Sequence, residues 1–150
     1  MKHRWAALMV VLALGALMPA HVGAQGTTPT PPTQRKPGFE LGQNYPNPFN
    51  PTTTIPFAIG DVPDCVDTGR QYRVSLKIYN VLAQLVAIPI LQGGDGAGQP
   101  IVNVTLRCGT YTAYWDGTYL NTSQEVASGV YLYRLEVDGR AVVKKMIVMK

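Results

Sequence analysis

Ser128–Lys150, SGVYLYRLEVDGRAVVKKMIVMK, is the stretch whose reading decides the fold. Two apolar runs rich in β-branched and aromatic residues flank Asp138-Gly139, a pair that supplies the positive φ angles a two-residue hairpin turn needs. In the first run Tyr131, Tyr133, Leu135 and Val137 alternate with Val130, Leu132, Arg134 and Glu136, the period of two of a half-buried strand. The second run, Val142 to Met149, is apolar on both faces, interrupted only by Lys144 and Lys145 and followed by Lys150. Such a strand is either covered on both sides or made to meet something.

Working outward, the pattern repeats. Tyr72–Tyr79, YRVSLKIY, directs Tyr72, Val74, Leu76 and Ile78 inward and Arg73, Ser75, Lys77 and Tyr79 outward. Thr52–Ile59 places Ile55, Phe57 and Ile59 on one face, and Pro56, which has no donor, predicts an edge strand. Leu85–Leu91 is expected as one strand broken by Pro89, followed by the glycine-rich connection 93–100, a strand from Ile101 to Leu106, and another at Tyr111–Trp115 capped by Asp116-Gly117. Asn80–Gln84 reads as a turn. About seven short strands with turn signals at near-regular spacing predict an all-β, immunoglobulin-like antiparallel β-sandwich.

The first 24 residues are set apart. Lys2, His3 and Arg4 precede the unbroken apolar run Trp5–Met18, and Val22-Gly23-Ala24 before Gln25 is a small-residue cleavage site, so residues 1–24 read as a signal peptide cut between Ala24 and Gln25. Residues 25–38 form a Pro/Thr-rich linker, and 39–150 the folded domain. The leader carries Lys2, Arg4 and both histidines, while all nine carboxylates lie beyond it.

The mature chain therefore has no histidine, which excludes Ser-His-Asp and Cys-His catalysis and histidine-based metal sites. With three serines lacking an evident base, no acid, base and nucleophile set can be assembled, and no enzyme, cofactor or small-molecule substrate is expected. The scattered basic residues give no stripe for nucleic acid. Asp61, Asp64 and Asp67 recur every three residues, unlike the two-residue spacing of calcium loops, and read as a solvated acidic loop. Cys65 and Cys108, the only cysteines, are expected to pair in an oxidising compartment.

Phe39–Pro51, FELGQNYPNPFNP, predicts a rigid, irregular lead-in with the rings of Tyr45 and Phe49 tucked against the sandwich. QNYPNPFNP at 43–51, KIYNVLAQLV at 77–86, YWDG at 114–117, and VASGVYLYRL with VVKKMIVMK at the end resemble the type IX secretion C-terminal sorting domain, which is similar to the immunoglobulin-like domain of flagellar hook-capping proteins. The resemblance covers nearly all of residues 39–150. It implies export by Sec and recognition by an outer-membrane translocon and its sorting receptor, in many relatives followed by cleavage and attachment of cargo to surface glycolipid. Carried over by position, the sorting-motif residues are Asn44, Tyr45, Pro46, Asn47, Pro48, Phe49, Asn50, Pro51, Trp115, Asp116, Gly117, Gly129, Val130, Tyr131, Lys144, Lys145 and Lys150.

Two positions depart from that pattern. Ala83 stands where the family commonly has a turn glycine, and Asn121 is the expected left-handed substitute for a glycine after Asp116-Gly117. The expected role is a non-catalytic secretion address, grasped by strand addition and located at the cell surface or secreted through the periplasm. The alternative is a structural or adhesive module of an extracellular assembly.

Overall fold

The structure, a computed structural model, describes residues 38–120 and 122–150. The expected leader, its Ala24–Gln25 cleavage site, the linker up to residue 37 and Asn121 lie outside the described residues.

Nine strands and no helix make up the described chain: β1 Phe39–Leu41, β2 Thr53–Ile59, β3 Gln71–Tyr79, β4 Leu85–Ala87, β5 Ile90–Gln92, β6 Val104–Arg107, β7 Gly109–Trp115, β8 Gly129–Val137 and β9 Arg140–Val148. All pairings between these strands are antiparallel, in two sheets ordered β1-β2-β7-β5 and β4-β3-β8-β9, with β6 alongside the first half of β3. These are the A-B-E-D and C-F-G neighbour relations of an immunoglobulin-like sandwich. Alternation along each strand drives the packing. Ile55, Phe57, Ile59, Ala113 and Trp115 from one sheet meet Val74, Leu76, Ile78, Tyr133, Leu135, Val137, Met146 and Val148 from the other in a single buried cluster. The inward residues expected for β3 are all buried, and on β8 the buried face is that of Tyr131, Tyr133, Leu135 and Val137.

The count exceeds seven because several strands are only three residues long. Leu85–Leu91 is not one strand. β4 pairs with β3 and β5 with β7, so the chain changes sheets at Ile88-Pro89, where a residue without a donor costs neither ladder a bond. The strand expected from Ile101 begins only at Val104, because Asn103 takes a left-handed φ of 51°; Ile101 is nonetheless fully buried and its carbonyl accepts the Leu76 N–H.

Pro56 is not on an edge. β2 lies between β1 and β7, and Gly42 N–H donates to the Pro56 carbonyl at 2.8 Å. A hydrogen-bonded antiparallel pair exchanges two such bonds, so a proline leaves the Gly42 carbonyl without its reciprocal donor. Tyr133 supplies it. Its hydroxyl reaches across the sandwich, donates to Gly42 O at 2.9 Å and accepts the Asn44 N–H at 3.1 Å. Burial raises the Tyr133 pKa, against the opposing hydrogen bond from Asn44. A side chain on Gly42 would fall 2.6 Å from the Pro56 ring, so the glycine belongs to the same arrangement.

Cys65 and Cys108 are bonded, with Cα atoms 5.5 Å apart, tying the β2–β3 loop to the β6–β7 junction. Gly60 makes room for the bridge: a Cβ there would sit 2.7 Å from Cys108 Sγ. Within that loop Asp67 Oδ1 accepts the N–H groups of Gly69 and Arg70, a local turn.

Candidate functional site

Apart from Lys144 and Lys145, which lie mid-way along β9, the residues of the carried-over motif converge at one end of the sandwich, where β2 starts and β7 and β9 finish. Asn44 is only 2% exposed. Its Nδ2 donates to Pro46 O and Thr53 Oγ1, both at 3.0 Å, and its Oδ1 accepts Gln43 Nε2 at 2.7 Å, so every polar atom of the side chain is satisfied. Phe49 is 1% exposed and packs edge-on against Trp115 at 5.4 Å, which in turn meets Tyr131 edge-on at 5.9 Å. Tyr45 differs from expectation. Its backbone pairs with Thr54, which turns the ring outward and leaves it 78% exposed. Pro46, Asn47, Pro48, Asn50 and Pro51 are exposed beside it.

The Trp115-Asp116-Gly117 corner holds this lead-in from the other side. Trp115 Nε1 donates to Thr118 O at 3.0 Å, and Asp116 Oδ1 accepts both the N–H and the hydroxyl of Thr118. Gly117 has φ 78°, and a Cβ there would lie 2.4 Å from the Pro51 carbonyl, so only glycine permits the approach. After the corner the left-handed position among the described residues is Leu120, φ 43°. Tyr131, near the start of β8, donates its hydroxyl to Ala127 O at 2.9 Å, the tyrosine-corner bond of immunoglobulin-like sandwiches. Gly129 opens β8 opposite Val148, and Val130 faces solvent opposite Ile147.

The final strand β9 is the border of its sheet. The Asp138-Gly139 turn has φ of 49° and 79° and joins Val137 directly to Arg140, so the even residues 140–148 bond to β8 while the N–H and C=O groups of 141, 143, 145, 147 and 149 point away from it. The lead-in caps the second half of that border. Gln43 Nε2 donates to Lys145 O at 3.2 Å, Asn47 Oδ1 accepts Ile147 N–H at 2.9 Å, and Phe49 exchanges bonds with Ile147 O and Met149 N–H, each 3.0 Å. Among the described residues no such partner faces Ala141, Val143 or the N–H of Lys145. Among the described residues this half-capped border follows from Gln43, Asn47 and Phe49, whose caps nothing in the sequence signals.

On β9, Met146 and Val148 are buried and Val142 half-buried, whereas Val143 and Ile147 are 50% and 37% exposed on the outer face, Ile147 opposite Val130 and Val143 opposite Arg134. Arg140 lies over the Phe39 ring at 5.3 Å. Lys144, half-buried, shares the inward face of the strand, and Lys145 the outer one; neither has a carboxylate partner among the described residues. Lys150 is occupied: Nζ meets Glu125 Oε2 at 2.9 Å and its N–H donates to Ser128 Oγ at 3.0 Å. No three metal-ligating side chains cluster among the described residues.

Comparison with protein-family models gives no match, and comparison with curated proteins gives none either.

Proposed function

We propose that residues 39–150 are a non-catalytic sorting module, exported by Sec and recognised through the C-terminal hairpin by the type IX outer-membrane translocon and its sorting receptor. The observation that carries this reading is the place of β9: a border strand with exposed apolar residues on its outer face and a first half whose outward-pointing backbone groups have no partner among the described residues. Strand addition to such a border draws affinity from main-chain hydrogen bonds and specificity from alternate side chains. The resemblance of the motifs supports the same reading, and Asn44, Phe49, Trp115, Gly117 and Tyr131 serve it indirectly by fixing the lead-in that covers the rest of the border.

The test is a periplasmic reporter carrying the domain in a type IX-competent host, compared with the triple variant Val130→Ser, Val143→Ser, Ile147→Ser. All three side chains are exposed, so the variant should keep a cooperative melt, and the reading predicts that its reporter stays in the periplasm. Surface delivery of the folded variant at the unaltered level would refute it. A structural or adhesive module would instead export independently of these residues and retain Lys150, which intact mass spectrometry reads directly.

A further inference from the structure

The geometry points to the partner's chemistry: the open border of β9 takes an extended segment in which acidic residues alternate with apolar ones, the acids on the side of Lys144. This rests on the reading above and specifies what the hairpin grasps. Three observations converge on residues 140–145.

The first is main-chain. Ala141 and Val143 each direct one donor and one acceptor outward and Lys145 a further donor, with the caps from Gln43, Asn47 and Phe49 beginning only at the Lys145 carbonyl. The window therefore accommodates a short strand and no more. Its inner limit is set by the protein's own lead-in, which already occupies the rest of the border in a parallel bridge, Phe49 to Val148.

The second is charge. β9 carries Arg140, Lys144 and Lys145 and no carboxylate. The ion pairs closest along the hairpin are used elsewhere, Arg134 with Glu136 on the outer face of β8 and Lys150 with Glu125. Arg140 and Lys144 lie on the same, inward side of β9, and Lys144 is half-buried without a counter-ion among the described residues. A strand laid against the border covers that ammonium further. Covering it with a carboxylate compensates the lost hydration, whereas covering it with an apolar or basic group leaves a desolvated charge unpaired, so the position discriminates by penalty as well as by attraction.

The third is the opposite face. Within the window Val143 is half exposed on the outer face, opposite Arg134 and separated by Lys145 from the exposed Val130–Ile147 pair, and an apolar outward residue of a partner strand packs beside it. Because side chains alternate, acids inward and apolar groups outward define a single register class.

The experiment uses the purified chain, isotopically labelled, titrated with a capped peptide alternating Val and Glu and with the same peptide carrying Lys for Glu. The Val-Glu peptide should move the amide resonances of Ala141, Val143 and Lys145 and bind about tenfold or more tightly than the Val-Lys peptide, falling with salt. Val143→Pro removes a donor that faces away from β8, so the hairpin ladder survives and binding is lost. Lys144→Glu should reverse the preference between the two peptides. Equal binding of both peptides, shifts confined to other residues, or no shift at millimolar peptide would overturn the inference. Loss of peptide selectivity with intact hairpin-dependent export removes this inference alone; selective peptide binding with export indifferent to the hairpin removes the sorting reading and leaves the acidic-strand site standing.

Discussion

Tyr133→Phe deletes one oxygen and so isolates the device that lets a proline sit between two strands. The hydroxyl donates to Gly42 O and accepts from Asn44 N–H, and both backbone groups lose their partner in the variant. At about 1 kcal/mol or slightly more for each buried group left unmade, the loss is about 2 to 3 kcal/mol. For a domain of this size that corresponds to a fall in Tm of about 10 °C. Pro56→Ala returns an N–H opposite Gly42, so in that background Tyr133→Phe orphans only the Asn44 amide and should cost about 1 kcal/mol. The predicted coupling is therefore about 1 to 2 kcal/mol, with removal of the tyrosine hydroxyl less harmful once residue 56 can donate. Urea denaturation of the four variants, followed by Trp115 fluorescence, measures it. An equal cost of Tyr133→Phe in both backgrounds would refute the reasoning, because the hydroxyl would then not be standing in for the missing donor.

Three further outcomes follow from the same structure. The folded Tyr133 pKa is raised by burial above the ordinary value of 10.0, so the unfolded chain releases this proton first; stability is complete below that value and declines as pH rises through it, and alkaline melts of Tyr133→Phe should lose part of this slope. Ala83 holds a φ of 59° in a turn fastened by Asn80 Oδ1 to the amides of Leu82 and Gln84, so Ala83→Gly should stabilise by about 1 kcal/mol, seen as a higher urea midpoint at unchanged m. Reduction of Cys65–Cys108, which closes a separation of 43 residues, should lower stability by about 4 kcal/mol on the chain-entropy model, measured by parallel melts with and without reductant.

The strands legible in the sequence were those whose alternation is long enough to name a face. β3, β8 and β9 run nine residues each, and their buried positions follow the period directly. Asp138-Gly139 was readable for a local reason, since turn chemistry resides in the two residues that form it. What could not be read depends on distant partners. Pro56 signals a missing donor, but only the tertiary reach of Tyr133, 91 residues from Gly42, tells that an interior strand tolerates it. The segment 85–91 carries the composition of one strand, yet its halves pair with different sheets, a choice made by β3 and β7. Tyr45 and Phe49 look alike in the sequence. The pairing of Tyr45 with Thr54 on one side and the Trp115 ring on the other send one outward and the other in. The motif itself divides in the same way: Asn44, Phe49, Trp115, Gly117 and Tyr131 are packing and hydrogen-bonding members of the fold, while Val130 and Lys145 are exposed and Lys144 half-buried.

Everything proposed for this hairpin requires that the first half of β9 be an open border while its second half is capped. Residue-resolved native-state amide exchange tests this most directly. Met146 and Val148, bonded to β8, should exchange only through global unfolding; Ile147 and Met149, held by Asn47 and Phe49, should show partial protection; and Ala141 and Val143 should exchange close to the rate of an unprotected peptide. Protection of Val143 equal to that of Met146 would contradict the account.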